Sequence, residues 1–378
     1  MEKAEVNVKK GLEGVIVDVT AISKVMPEIN SLVYKGYPVQ DLAENCCFEE
    51  VAYLLWHGEL PTKPQLEALK KQEINYRPIS EDLISVIKKF PKHAHPMDTV
   101  RTGVSFLGME DKRIWDSSEK TNLEKSLMLM AKIPTIIAAD YRARKGLDII
   151  PPSKDLGFSE NFFHMCFGKV PQKEVVRAFD VSLTLYAEHG FNASTFAARV
   201  ITSTNTDIYS AVVGGIGALK GPLHGGANEQ VMHVLKEIGE PSRAQAWIEK
   251  AITEKRKVMG FGHRVYRSGD SRVPTMKKYS SGLGKMLGET KWQEMSDILE
   301  NFMVKTKGIY PNLDFPAGPA YYLMGFDIDM FTPIFVMARI TGWTAHIIEQ
   351  TANNRIIRPL SQYQGPLERK VIPLNQRG

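Results

Sequence analysis

The chain has 378 residues, 43% hydrophobic and 24% charged, with 48 basic against 43 acidic residues and a net charge of +5. This is an ordinary globular composition, long enough for roughly two domains. The small, dispersed positive excess, with no RNA-binding aromatic motif and no paired-cysteine finger, argues against a nucleic-acid partner, and no apolar run approaches the roughly 18 residues a membrane span needs.

In chain order, "GLEGVIVDVTAISKV" places Val15, Val17 and Val19 in alternation, which predicts a short strand near the N-terminus. Helical periodicity then takes over. Phe48, Val51, Ala52 and Leu55 share one face, and Gly58 and Pro61 supply the stop. "PQLEALKKQEI" and "SEDLISVIKKF" are short amphipathic helices, the second opened by Ser80. A long apolar helix is expected from about Asn122 to Arg144, kinked at Pro134. "QKEVVRAFDVSLTLYAEHG" reads as a helix ending at Gly190, and "TDIYSAVVGGIGALKG" as a central helix approached closely by its neighbours. Further helices begin at Ser242 and at Thr290, where Gln293 completes a capping-box spacing. The last long helix is "FTPIFVMARITGWTAHIIEQ"; after Asn354, Pro359, Pro366 and Pro373 keep the tail extended. The class is therefore mostly α. No repeat of fixed period supports a helical protein-binding solenoid, the non-enzymatic alternative.

Cys46, Cys47 and Cys166 are odd in number and two are adjacent, so the thiols read as reduced. With an opening stretch, "MEKAEVNVKKGLEG", that lacks an apolar core, the expectation is a cytoplasmic protein.

Three histidines sit in turn-like surroundings: His189 in "YAEHGFNASTF", His224 in "GPLHGGANE" and His263 in "VMGFGHRVYRSGDSR". Asp314 lies between Leu313 and Phe315 in "YPNLDFPAGPAYY". Titratable groups on turns, beside apolar residues or bare backbone, favour altered proton affinity and ligand access. The histidine separations fit no metal-binding motif, so no metal is expected. There is no nucleophile elbow, and "GGIGALKG" lacks the phosphate-loop pattern. Acid–base chemistry on carbon fits better. If a helix begins near Ala227, its positive end disfavours an imidazolium at His224, and a neutral imidazole can donate to an enolate oxygen. A desolvated Asp314 is a stronger base. The same residues also admit a structural reading, a tight interhelical loop at His224 and an Asx turn at Asp314.

Arg339 shares a helical face with Phe335, Gly342, Trp343 and His346. A guanidinium on a core-facing stripe is costly unless it meets an anion. Arg272 in "GDSRVP" and Arg358 in "NNRIIRPL" have similar contexts, and three such arginines could bind a dicarboxylate. Pairing with acidic side chains is the structural alternative for each.

Taken together, "EHGFNAS", "GPLHGGANE", "MGFGHRVY", "PNLDF" and "FTPIFVMARITGW" resemble the citrate synthase family, in the same order and over nearly the whole chain. The resemblance implies a multi-helical homodimer with a large domain (1–225 and 326–378) and a small domain (226–325) that close over substrate. It implies condensation of an acyl-CoA with oxaloacetate and hydrolysis of the thioester, with CoA as part of a substrate rather than a resident cofactor. Asp314 would remove the acyl α-proton, His224 would hold the enolate, and His263 would polarise the oxaloacetate carbonyl. His189, Arg272 and Arg339 would bind oxaloacetate carboxylates, with Arg358 arriving from the partner subunit. The backbone of Val258, Met259, Gly260, Phe261 and Gly262 would cradle CoA, with Arg267 near its phosphates.

Tyr186 stands where several citrate-specific relatives carry histidine, and "FPAGPAYYLMGF" follows Asp314 where they more often have an aromatic–serine pair. Both features look more like the 2-methylcitrate branch, which accepts propionyl-CoA; an acetyl-CoA-specific citrate synthase is the alternative, and a lyase running the reverse cleavage a further one.

Overall fold

A computed structural model describes residues 8–263, 265–266 and 269–377. Sixteen α-helices and one small sheet make up its regular framework. The sheet is antiparallel, β1 (Ser23–Met26), β2 (Ser31–Tyr34) and β3 (Tyr37–Pro38), in that order. The strand expected over Val15 to Val19 does not form: this stretch has no regular structure, and Ile16 is 90% exposed. Alternation marks a strand only where a partner supplies backbone hydrogen bonds and one face is buried. Here the segment is tethered by polar contacts instead, from Arg199 to Asp18 Oδ2 at 2.9 Å and from the Ala21 N–H to Glu349 Oε1 at 2.8 Å.

The first helices are α1 (Val39–Asn45), α2 (Phe48–His57), α3 (Lys63–Tyr76), α4 (Glu81–Lys88) and α5 (Pro96–Glu110). Their ends follow local chemistry. The Leu83 N–H donates to Ser80 Oγ at 3.1 Å, and Gly58 closes α2 with φ 91°, a left-handed value that glycine tolerates. The helix α6 (Glu119–Arg144) runs through Pro134 without interruption; the missing proline N–H removes the bond to the Met130 carbonyl. Next come α7 (Phe158–Phe167), α8 (Lys173–Tyr186), α9 (Ala193–Thr202) and α10 (Ile208–Leu219). The helix α8 ends four residues before Gly190, because Tyr34 reaches across and its hydroxyl donates to the Glu188 carbonyl at 2.9 Å. The bend turns His189 out of the helical register.

The remaining helices are α11 (Ala227–Ile238), α12 (Pro241–Thr253), α13 (Val273–Leu287), α14 (Lys291–Lys307), α15 (Asp314–Leu323) and α16 (Phe331–Ala352). Pro241, not Ser242, opens α12, as suits the first helical position. Thr290 does not cap through a box: its hydroxyl donates to Glu294 Oε1 at 2.7 Å, because its backbone is already helical. The helices α11 to α15 pack chiefly on one another, whereas α16 runs through the core against α2, α5, α6, α8, α9 and α10. Every residue of α16 from Phe331 to Ile347 is buried, the pattern of a helix enclosed on all sides. At Gly342 a methyl group would overlap the Ala187 carbonyl and the Glu188 carboxylate, so only glycine lets α16 approach the end of α8 this closely.

Candidate active site

Four backbone breaks bring the chemistry together: the end of α8, the turn before α11, the loop before α13 and the start of α15. The turn before α11 carries His224. The Ser194 N–H donates to His224 Nε2 at 3.3 Å, and the Ser194 hydroxyl lies 2.8 Å from the same nitrogen, with Asn192 Oδ1 at 3.2 Å. Asn192 is engaged as the cap of α9, accepting from the Ser194 and Thr195 N–H groups. The Ser194 N–H meets Nε2 as a donor and Asn192 Oδ1 meets it as an acceptor, so the ring is anchored through Nε2 in either tautomer. Burial, with the Arg339 charge, pulls the His224 pKa down to about 3, so the imidazole is neutral at physiological pH.

His263 is also neutral at physiological pH. Its Nδ1 accepts from the Val265 and Tyr266 N–H groups at 3.0 and 3.1 Å, which places the proton on Nε2. Burial and Arg272 lower its pKa to about 4. His189 packs edge-on to it at 4.9 Å between ring centroids and is held well below its ordinary pKa by burial and by Arg272. The buried Nε2 of His189 has no hydrogen-bond partner among the described residues, an orphan of the kind a ligand satisfies.

Asp314 opens α15. Its carboxyl is raised to about 6, chiefly by burial, and a hydrogen bond from the Tyr186 hydroxyl, 2.7 Å from Oδ1, partly offsets that rise. The two arginines differ. Arg272 is buried in a forked pair with Asp270, at 3.0 and 2.7 Å, and Asp270 also accepts the Leu313 N–H at 3.2 Å. One acid thus ties Arg272 to the residue before Asp314. Arg339 is 2% exposed and forms no ion pair among the described residues; its Nε donates to the Tyr186 carbonyl at 2.7 Å. Its terminal nitrogens bond to nothing among the described residues. Burial lowers its pKa to about 10, which leaves it a cation. The nearest compensating charge is the buried carboxylate of Glu188. Burial pushes that group up, but His346 at 2.9 Å and Arg339 outweigh it and hold Glu188 below the usual carboxylate range.

The sequence-predicted residues divide accordingly. His189, His224, His263, Arg272, Arg339 and Asp314 lie in one electrostatic neighbourhood: Arg339 acts on His189, His224 and Asp314, and Arg272 acts on His189, His263 and Asp314. Arg358 is exposed on the extended tail, and no described contact joins it to this cluster within one chain. Arg267 lies outside the described residues. Val258 to Gly262 is engaged with the Asp314 loop: the Gly262 N–H donates to the Tyr310 carbonyl at 2.8 Å, the Asn312 N–H to the Gly260 carbonyl at 2.9 Å, and Asn312 Nδ2 to the Gly262 carbonyl at 3.0 Å. Those bonds link the His263 and Asp314 loops and commit the Gly262 N–H. Sequence reasoning missed this linkage and the supporting roles of Ser194, Asp270 and Tyr186. The only local signal was the Asn-x-Ser spacing ahead of α9, which also reads as an ordinary cap.

A raised carboxyl, two neutral imidazoles and a buried guanidinium with no ion pair among the described residues could take a proton from carbon beside a carbonyl while holding a small anion. The family model described as "Citrate synthase, C-terminal domain" matches residues 11–360. A 2-methylcitrate synthase of Mycobacterium tuberculosis is 57% identical over 367 residues, 97% of this chain and 93% of that protein. A citrate synthase of Mycolicibacterium smegmatis is 56% identical over 365 residues, covering 97% of each. The solved ternary complex of carboxymethyl coenzyme A and oxaloacetate with citrate synthase from Thermoplasma acidophilum superposes with a TM-score of 0.93 at 33% identity, covering 98% of this chain and 99% of that one. The chain belongs to the citrate synthase family. No helix among the described residues is long and apolar enough to cross a membrane, and the three cysteines are unpaired.

Proposed function

We propose that this chain condenses propionyl-CoA, and also acetyl-CoA, with oxaloacetate and water to give 2-methylcitrate, or citrate, and free CoA. The observation that carries the reading is Asp314, a carboxyl raised to about 6 that stands in one field with the neutral imidazoles of His224 and His263. Asp314 takes the α-proton of the thioester. The neutral imidazole of His224 donates a hydrogen bond to the enolate oxygen as charge develops there. The Nε2 proton of His263 polarises the oxaloacetate carbonyl and is delivered to it as the carbon–carbon bond forms. Water then cleaves the thioester and releases CoA. His189, Arg272 and Arg339 hold the oxaloacetate carboxylates, the unpaired guanidinium and the orphan His189 nitrogen being the groups most in need of an anion.

The chain acts as a homodimer in this reading, with Arg358 of the partner subunit reaching the oxaloacetate site; the exposed position of Arg358 is consistent with that. The large domain (1–225 and 326–378) and the small domain (226–325) close over substrate, and the packing of α11 to α15 chiefly on one another supports the division. CoA lies along Val258 to Gly262 and Arg267, through groups of that segment not already bonded to the Asp314 loop. Catalysis needs no metal, because the raised carboxyl and neutral imidazoles supply the proton transfers.

A second reading, citrate synthase specific for acetyl-CoA, is favoured by the Mycolicibacterium smegmatis relative. One methyl group changes binding by only ~1–3 kcal/mol in an apolar pocket, so overlapping activity is expected in either case. The test is CoA release with oxaloacetate and each thioester. A higher kcat/KM for propionyl-CoA supports the proposal, a higher value for acetyl-CoA supports the second reading, and no release with either refutes both.

A further inference from the structure

The turn between α10 and α11 presents His224, and the start of α5 holds both of its stems. Ahead of His224, Lys220 Nζ donates to both carboxylate oxygens of Asp98, at 2.7 Å each. Behind it, Glu229 in the first turn of α11 meets His95, the N-cap of α5, at 3.2 Å. The direction of that bond is fixed. The Met97 N–H donates to His95 Nδ1 at 3.2 Å, so the ring proton sits on Nε2 and is donated to Glu229 Oε2. The other oxygen of Glu229 accepts the Thr332 N–H at 3.2 Å and the Thr332 hydroxyl, which caps the start of α16. The turn has little room to shift: a methyl on Gly225 would stand 2.7 Å from the Leu219 carbonyl. A cavity of about 770 Å³ beside His95 and Glu229 is lined by none of the predicted site residues, so the pair faces away from the substrate groups.

We propose that His95, Asp98, Lys220 and Glu229 form a two-point clamp on the His224 turn, which sets where the enolate-holding imidazole stands. The inference rests on the proposed role of His224. All four are positioning residues. The Ser194 and Asn192 contacts aim the ring, and the clamp fixes the backbone that carries it. Placement matters because the imidazole must meet the enolate oxygen at hydrogen-bond distance as charge develops, and a shift of ~1 Å costs on the order of 10²-fold in rate. Releasing one stem displaces the turn by part of that distance.

Two variants break one bond each and spare the helix ends. Glu229→Gln keeps an oxygen for Thr332 and turns an amide NH2 toward the His95 N–H, so two donors face each other. His95→Asn keeps a cap for α5 and is too short to reach Glu229. With oxaloacetate-binding sites counted by calorimetry, turnover of propionyl-CoA per site falls about tenfold in each variant. The Kd for oxaloacetate stays unchanged, because Arg272 and Arg339 are untouched. The double variant is no slower than either single one, since all three lose the same bond. Asp98→Asn loosens the other stem, lowers turnover per site with the same unchanged affinity, and carries the test if variants of the His95–Glu229 pair do not fold. A merely structural role lowers the number of sites and leaves turnover per site intact. Wild-type turnover per site, affinity lost in step with turnover, or additive losses in the double variant overturn the clamp while wild-type turnover persists. Absence of wild-type turnover with any thioester overturns the function itself, so the two failures are distinguishable.

Discussion

Lowering the pH should titrate the reaction through Asp314 alone. With its carboxyl raised to about 6, the base is ionised to ~90% at pH 7 and only ~9% at pH 5, so kcat/KM should fall about tenfold between them. An aspartate at its ordinary value of 3.8 would stay more than ~90% ionised at pH 5, and the fall would be under ~10%. The sign follows from which form works: the carboxylate abstracts the proton, so activity is present above the raised pKa and lost as pH falls through it. The histidines do not add a limb in this window, because His224 and His263, at about 3 and 4, are already neutral at pH 5. The assay is loss of thioester absorbance at limiting propionyl-CoA and saturating oxaloacetate, which avoids a thiol reagent that itself titrates. A limb with its midpoint near 4, or a flat profile from pH 8 to 5, would refute the assignment of Asp314 as a desolvated base.

Asp314→Asn replaces the base with an amide of the same shape, and turnover should drop ~10²–10⁴-fold while calorimetry still detects oxaloacetate binding. Arg339→Met removes a cation that has no ion-pair partner among the described residues, so oxaloacetate affinity should weaken by at least ~30-fold, the lower end for a desolvated pair. The unliganded melting temperature of that variant should hold or rise, and a large drop would show that the guanidinium serves the fold instead. Gly342→Ala should cost ~1–3 kcal/mol in thermal unfolding through overlap with Ala187 and Glu188. Gly217→Ala, in α10 with nothing within 4 Å, should be neutral or stabilising. Arg358→Ala should weaken oxaloacetate binding only if the partner subunit supplies this residue; an unchanged affinity, with sedimentation showing a dimer, removes it from the site.

The helical class, most helix positions and the six clustered site residues were legible in the chain itself. Helix signals are local: a 3.6-residue apolar rhythm, Ser80 before an acidic turn and Gly58 after the last apolar position need nothing distant to act. The Gly-flanked turns around His224 and His263 were visible for the same reason. Tertiary structure decided what depends on a partner far away in sequence. Val15 to Val19 has the alternation of a strand and is not one, because no neighbouring strand accepts its backbone. The helix α8 stops at Tyr186 because Tyr34, about 150 residues earlier in the chain, takes the Glu188 carbonyl. The proposal of Asp314 as general base rests on desolvation, and desolvation is a sum over everything packed around Asp314, from α8 to α16. Local rhythm specifies where the backbone coils; only the closed packing specifies which buried group is left without a partner, and the proposed chemistry rests on those groups.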